Sequence, residues 1–417
     1  MRKQILSICA SFALGVSGLQ AQPKQPFEAI ATTTDAGSPV TVRSGGTNLF
    51  DFISAIVGGN GAFQSIDTRA YSAGMTFLGV PDAIRFTRNS TGTAVTMTLA
   101  PIGFNRTFTG PNETSVDDQI DAFFESEGGA TIAAFLKAIA KSSPIAVTDG
   151  NPTAATAIAA QSVFAGQGFT SADEFGAAFD PDSSEASKSK FGGINLGLNA
   201  GTFEAGGFEG KIYDVSGTIL NFGGEKVRFL VPINFNFLEF DAGSKVGGAG
   251  INLVLPIRFK VMSKENPWNW RLTPLAGVSV RGSVDLGSLS PLWQAGVVNT
   301  LDYKVAPKLV FSIVNQFTMH RSIAIAYDGL DFDPDIDQQI LKNGVRFVTP
   351  LSRRFILDGF AVDTRFMKDA AVKQFWSFGG SLSFRATQRW NLVLGANYDT
   401  GDNFKAYSGG LSSAWKW

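Results

Sequence analysis

Cysteine and histidine are almost absent: Cys9 and His320 are the single copies in 417 residues. Cys9 lies within the first 21, MRKQILSICASFALGVSGLQA, where Arg2 and Lys3 precede an apolar run and then small residues. That order is the layout of an export signal, with cleavage after Ala21 or after Gly18. The run is short for a bilayer span of about 20 residues. Removing it would take away the only thiol, excluding internal disulfides, thiolate metal sites and a cysteine nucleophile. It would also leave 33 cations against 36 acids, a net charge of −3. Charge of either sign is scarce, at 17% of residues where about 25% is ordinary. The near balance excludes a nucleic-acid binder, which needs a basic surplus. No later run approaches about 18 consecutive apolar residues, so no transmembrane helix is expected. With neither a phosphate-binding glycine loop nor a zinc cluster, no cofactor is expected.

Tryptophan is missing before Trp268, and Tyr71 is the one tyrosine before residue 190. The skew divides the chain. Residues 180–190, DPDSSEASKSK, contain no apolar side chain larger than alanine and read as a linker. The expected organisation is a signal peptide at 1–21, a small α+β domain at 22–179, the linker, and a third region at 191–417.

In the first domain, residues 22–46 are polar and expected to be irregular. Residues 83–88 and 93–101 alternate around Asn89–Gly92 and predict a hairpin, with a third strand at 103–110. Ser115, with Asp118 three residues on, is a candidate cap for a helix with Val116, Ile120, Phe123 and Phe124 on one face. A second helix carries Ile132, Phe135, Leu136 and Ile139. Asn151 and Pro152 suit the start of an alanine-rich third helix. Ser171 with Glu174 suits a short fourth.

Beyond residue 190 the period becomes two. Val227, Phe229, Val231, Ile233, Phe235 and Phe237 alternate with Arg228, Asn234 and Asn236, and 251–261 and 268–280 repeat the split. Alternation this long means strands with one apolar face. Soluble strands usually run about 5–6 residues, whereas barrel spans need roughly 9–11. Twelve such segments lie between 191 and 417. An even count puts both barrel ends on the periplasmic side, with GGE, SKENP, VAP, SRR and TQ as short turns there. The longest connection, 321–340, then falls outside. Trp268, Trp270, Trp390, Trp415 and Trp417 fall at periplasmic strand ends, with Trp293 and Trp376 towards the outer rim, as two aromatic girdles. The fold expected is mainly β: an antiparallel transmembrane β-barrel of about 12 strands preceded by the small α+β domain.

The final strand AYSGGLSSAWKW, with Tyr407, Leu411, Trp415 and Trp417 on one face, resembles the closing strand of bacterial outer-membrane β-barrel proteins. The resemblance covers the barrel half and implies recognition of this strand by the barrel-assembly machinery. It also implies outer-membrane lipid as surroundings, in a Gram-negative-type envelope. Family members usually end in Phe, where this chain has Trp417.

For function, the polar register supplies Arg228, Arg258, Lys260, Arg271, Arg281, Arg346 and Arg385 as candidate lumen-lining residues. A cationic lumen would attract small anionic solutes, a porin-like transport role. The same arginines could instead pair with carboxylates and brace a filled interior. A second reading is an autotransporter-like barrel that displays or secretes its N-terminal domain. Strand one starts on the periplasmic side, so that domain is expected to begin there. The linker's extended reach of about 36–40 Å exceeds a hydrocarbon core of roughly 30 Å, leaving a periplasmic, plugging or outward position open. His320 with Ser322 resembles the histidine–serine pair of outer-membrane phospholipases, a third reading. It lacks the orienting third group, so no enzyme is expected. Asp331, Asp333, Asp335 and Asp337 are weak calcium candidates, without the turn glycine and bidentate glutamate of a complete loop.

Overall fold

The computed structural model describes residues 24–35, 37–57, 62–66, 68–126, 128–168, 193–224, 226–262, 266–327, 330–332, 335–387 and 389–416. The expected signal peptide, the expected linker, the expected helix at Ser171 and the residue Trp417 lie outside them.

Six strands form the N-terminal sheet: β1 (Phe27–Thr33), β2 (Thr41–Gly46), β3 (Tyr71–Phe77), β4 (Val80–Arg88), β5 (Ala94–Leu99) and β6 (Phe104–Thr109). Their antiparallel order is β2-β1-β3-β4-β5-β6. Helices α1 (Leu49–Val57), α2 (Glu113–Ser126) and α3 (Gly128–Ser142) accompany them, and α4 (Ala155–Gln167) follows. Phe27–Thr33 and Thr41–Gly46 thus form strands where irregular chain is expected. On β1 the inward face is Phe27, Ala29 and Ala31, all fully buried, and two alanines carry too little apolar contrast to show a period. Two caps also differ. Asn112 caps α2, its Oδ1 accepting from Ser115 N at 2.9 Å. Asn151 braces the loop before α4, donating to Ala146 O at 2.8 Å and accepting from Thr153 N at 2.9 Å.

Twelve staves make the barrel: β7 (Gly193–Ala205), β8 (Phe208–Gly223), β9 (Arg228–Phe240), β10 (Lys245–Val254) continued by β11 (Ile257–Lys260), β12 (Trp268–Ser283), β13 (Ser288–Ala306) and β14 (Leu309–Ser322). A short hairpin, β15 (Ile325–Tyr327) and β16 (Leu330–Phe332), interrupts them. The ring resumes with β17 (Asp337–Pro350), β18 (Phe355–Phe366), β19 (Gln374–Arg385), β20 (Trp390–Gly401) and β21 (Phe404–Lys416). Each pairs with its neighbour, and β21 pairs with β7 from Phe404↔Ala205 to Lys416↔Gly193, which closes the ring. The split between β10 and β11 falls at Leu255–Pro256, because proline has no N–H for the ladder.

Alternation sorts the side chains. On β14, Val310, Ser312, Val314, Gln316, Thr318 and His320 are fully buried inside, while Ile313 and Met319 face out. Leu196, Phe235, Phe347, Leu394 and Tyr407 are each more than half exposed on the outer surface. A ring of large apolar side chains on a closed sheet is the surface that hydrocarbon requires, with every ladder group paired internally. The molecule is a transmembrane β-barrel.

The N-terminal sheet packs on the barrel end where β7 finishes and β8 begins. Phe27, Phe52, Leu78 and Ile145 share one apolar cluster with Phe203, Phe208, Leu238, Leu286, Ile340 and Phe375. Polar ties reinforce it: Lys24 Nζ donates to Gly206 O at 2.9 Å, and Leu49 N to Asp285 O at 2.8 Å. The unit therefore sits opposite Gly193 and Lys416, not beside the start of the first barrel strand.

Phe208 is the pivot of that seam. Its ring lies beneath Lys24 Nζ at 4.8 Å, and Gly79, at φ +77°, leaves room for it; a Cβ there would come within 2.5 Å of the ring. Phe208→Ala should cost about 3–5 kcal/mol of seam packing. The expected result is protease cleavage within 27–142 at lower urea concentration, while the barrel keeps its heat-modifiable gel mobility. Unchanged cleavage would show that the seam does not hold the unit.

Candidate functional site

Helix α4 occupies the lumen. Its first turn meets the barrel near the N-terminal unit, where Ala155 and Ala159 pack on Leu292. Gln316 Nε2 donates to Ala160 O at 2.9 Å, and Lys342 Nζ to Gln161 Oε1 at 2.5 Å. One turn further, Val163 and Phe164 pack among Leu230, Val254, Leu275, Val298, Val314 and Val362. At its end, Gly168 O accepts from Thr300 Oγ1 at 2.9 Å. Positions 292, 298 and 300 descend β13 as 155, 163 and 168 descend the helix, so α4 runs down the lumen from the capped end. Alanine makes this fit possible: Ala155, Ala157, Ala159 and Ala160 are buried, and their small side chains let inward glutamines reach second lone pairs of helix carbonyls.

The loop ahead of α4 is anchored by Asp149, whose Oδ1 accepts from Thr156 Oγ1 at 2.7 Å and Oδ2 from Gln338 Nε2 at 3.2 Å. Burial pushes this carboxyl above the usual carboxylate range, partly offset by those bonds. Val372 N also bonds Gly150 O at 3.1 Å.

The candidate cations separate into groups. Arg271, Arg281 and Arg346 are buried inside the barrel. Arg346 pairs with Asp358 at 3.2 Å, and Arg281 donates to Asn236 Oδ1. Arg228, Arg258 and Arg385 are half-buried near the opposite rim. Lys260 leaves the inward row: a bulge between Arg258 and Lys260 sets it opposite Trp270, and it is exposed. Sequence reasoning missed Lys342, almost fully buried, which also reaches Thr364 Oγ1 at 3.2 Å and lies over the rings of Phe164 and Phe375. Its signal was present, since it alternates with Leu341 and Asn343 as the arginines do with their neighbours.

Beside α4 a cavity of about 390 Å³ remains against β7, β8 and β19–β21. Asn199, Asp214, Ser216, Asn397, Asp399 and Ser408 face it, and among the described residues no lysine or arginine lines it. The expected cationic surface for anions is therefore not where the open space is. Glycine, serine and asparagine on these strands are too short to reach the helix, which explains the gap.

The remaining candidates do not converge. His320 Nε2 contacts Thr318 Oγ1 at 2.9 Å, and Ser322 Oγ accepts from Ile336 N at 3.1 Å. Both lie on the inward register, away from lipid. Asp335 pairs with Lys137 of α3, Asp337 with Lys368 and Arg321. The side chains of Asp331 and Asp333 lie outside the described residues, among which no group of three or more potential metal-binding side chains exists. The ring of Trp268 lies tilted against Tyr303 at 4.3 Å and that of Trp270 against Phe259 at 4.6 Å, while Trp390 is paired in register with Trp415, all towards the Gly193 end. Trp293 and Trp376 lie towards the capped end, with the stacked Tyr398 and Tyr407 between strands β20 and β21.

Asp149 predicts a pH dependence. Its folded pKa exceeds the unfolded value of about 3.9, so across that window the folded chain binds more protons and stability falls as pH rises. Asp149→Asn should flatten this part of the slope in thermal unfolding followed between acid and neutral pH. An identical slope in the variant would show that Asp149 does not couple the plug to protonation.

No protein-family model matches the chain, and no curated protein matches it. Among solved structures it is similar to the beta domain of the Bordetella autotransporter Brka, at 11% identity over 54% of this chain and 100% of that one, TM-score 0.41. It is similar to the translocator domain of autotransporter NalP from Neisseria meningitidis, at 14% identity over 63% and 98%, TM-score 0.38. An outer membrane channel from Pseudomonas putida F1 is similar at 10% identity over 57% and 99%, TM-score 0.42.

Proposed function

We propose that this chain is an outer-membrane barrel that holds its own N-terminal unit on the cell surface, in the manner of an autotransporter. The observation that carries the reading is the direction of α4, which descends the lumen from the unit towards the end where β7 begins. Orientation follows from loop lengths. The long connection 323–336 lies at the capped end, and barrels of this kind keep short turns in the periplasm and longer loops outside. Residues 169–192, even fully extended, reach roughly 80 Å, ample to return from the lumen to Gly193. Residues 1–21 would direct export, and the closing strand with Tyr407, Leu411 and Trp415 would engage the barrel-assembly machinery.

Protease added to intact cells tests this reading: cleavage within 27–142 with the barrel retained is expected. Protection in intact cells, with cleavage only after the outer membrane is permeabilised, would overturn it.

The cavity beside α4 favours a second reading, passage of small solutes along the side that the helix leaves open. In planar bilayers the full chain should conduct weakly and the 191–417 fragment strongly, because α4 and the apolar cluster at the capped end obstruct the lumen. Equal conductance from both would mean that α4 does not close it.

A further inference from the structure

The lipid-facing surface carries a polar row where apolar residues are required. Asn299 on β13, Asn315 on β14 and Asn343 on β17 are register partners, and all three lie on the outward face. On β13 the outward series runs Trp293, Ala295, Val297, Asn299, Leu301, Tyr303. The two aromatic ends are ten residues apart, about 33 Å of strand, which at the usual tilt spans the apolar band of about 25 Å. Asn299 lies between them, inside the hydrocarbon. Ile313 and Phe317 flank Asn315, and Leu341 and Val345 flank Asn343.

Each of the three amides makes one side-chain hydrogen bond among the described residues. Asn299 Oδ1 accepts from Trp270 Nε1 at 2.9 Å. Asn315 Nδ2 donates to Asn343 Oδ1 at 2.7 Å. That bond leaves the Asn315 carbonyl and the Asn343 amide N–H groups pointing at lipid, with no further hydrogen bond among the described residues. The next register partner on β18, Asp363, shows the contrast: Arg365 Nε at 2.7 Å and Gln374 Nε2 at 2.6 Å satisfy its carboxylate within the chain. Water is not available in the bilayer interior to finish the amides, and such groups are costly there unless a protein surface meets them.

We propose that the β14–β17 face is an interface with a second copy of this chain. The groups of this pair left over are the carbonyl and one N–H of Asn315 and both N–H groups of Asn343, side by side. A two-fold axis through the pair would let each Asn343 Nδ2 donate to the partner subunit's Asn315 Oδ1, giving two reciprocal bonds. A self-complementary donor and acceptor set is what an isologous contact needs. The flanking Ile313, Phe317, Leu341 and Val345 supply an apolar surround that excludes lipid headgroups and water.

Cysteine cross-linking in native membranes tests this, using full-length chain with Cys9→Ser as background. Asn315→Cys should cross-link to a homodimer, whereas Leu394→Cys, 63% exposed on β20, should not. The double variant Asn315→Leu, Asn343→Leu should raise the dimer dissociation constant in detergent by about tenfold, with heat-modifiable mobility reporting that the barrel is folded. A folded Asn315→Cys chain that stays monomeric, cross-links to a different protein, or links no better than Leu394→Cys would overturn the proposal. So would a double variant that associates as tightly as the parent chain.

Discussion

A strand in hydrocarbon has no water to accept its edge, and everything else in this molecule depends on that constraint. The pairing of β21 with β7 removes the last edge, so twelve strands form a ring instead of a sheet. Closing the ring creates an interior that must be filled or wetted. It also commits every second residue to lipid, which is why large apolar side chains lie on the outside and glutamines, arginines and Lys342 lie within.

The interior is filled unevenly. On the β12–β17 side, Gln316, Lys342 and Thr300 bind the α4 backbone and side chains, and branched apolar residues close around Val163 and Phe164. On the β7–β8 and β19–β21 side, many inward residues are glycine, serine and asparagine, joined by Asp214 and Asp399, and a cavity remains. One lumen thus combines a closely packed half with an open half. At the capped end an apolar cluster shared with the N-terminal sheet covers the mouth. Firm attachment of the unit and free passage of solute pull against each other there, since any route through that end must part Phe203, Phe375 and Phe404 from their neighbours.

The outer surface was the legible part. Alternation over ten residues, with tryptophan at strand ends, follows from a sheet that meets lipid on one side, and no neighbour can disguise it. The lumenal side chains were legible as inward but not as to role. Whether Arg346 lines a pore or pairs with Asp358 depends on what lies across the ring. Lys260 was misplaced because a bulge shifts the register by one residue, and a bulge leaves no mark in the period. The alanines of β1 concealed a strand for want of contrast.

By itself the sequence determined a closed β-barrel with a lipid-facing exterior, because residue period and bilayer thickness act locally along each strand. Only the tertiary structure decided that α4 lies in the lumen and that the N-terminal unit sits at the far end. An alanine-rich helix without a one-sided stripe gives no sign of what surrounds it. Its place is set by the glutamines, lysine and valines of five distant strands, which converge only when the ring has closed.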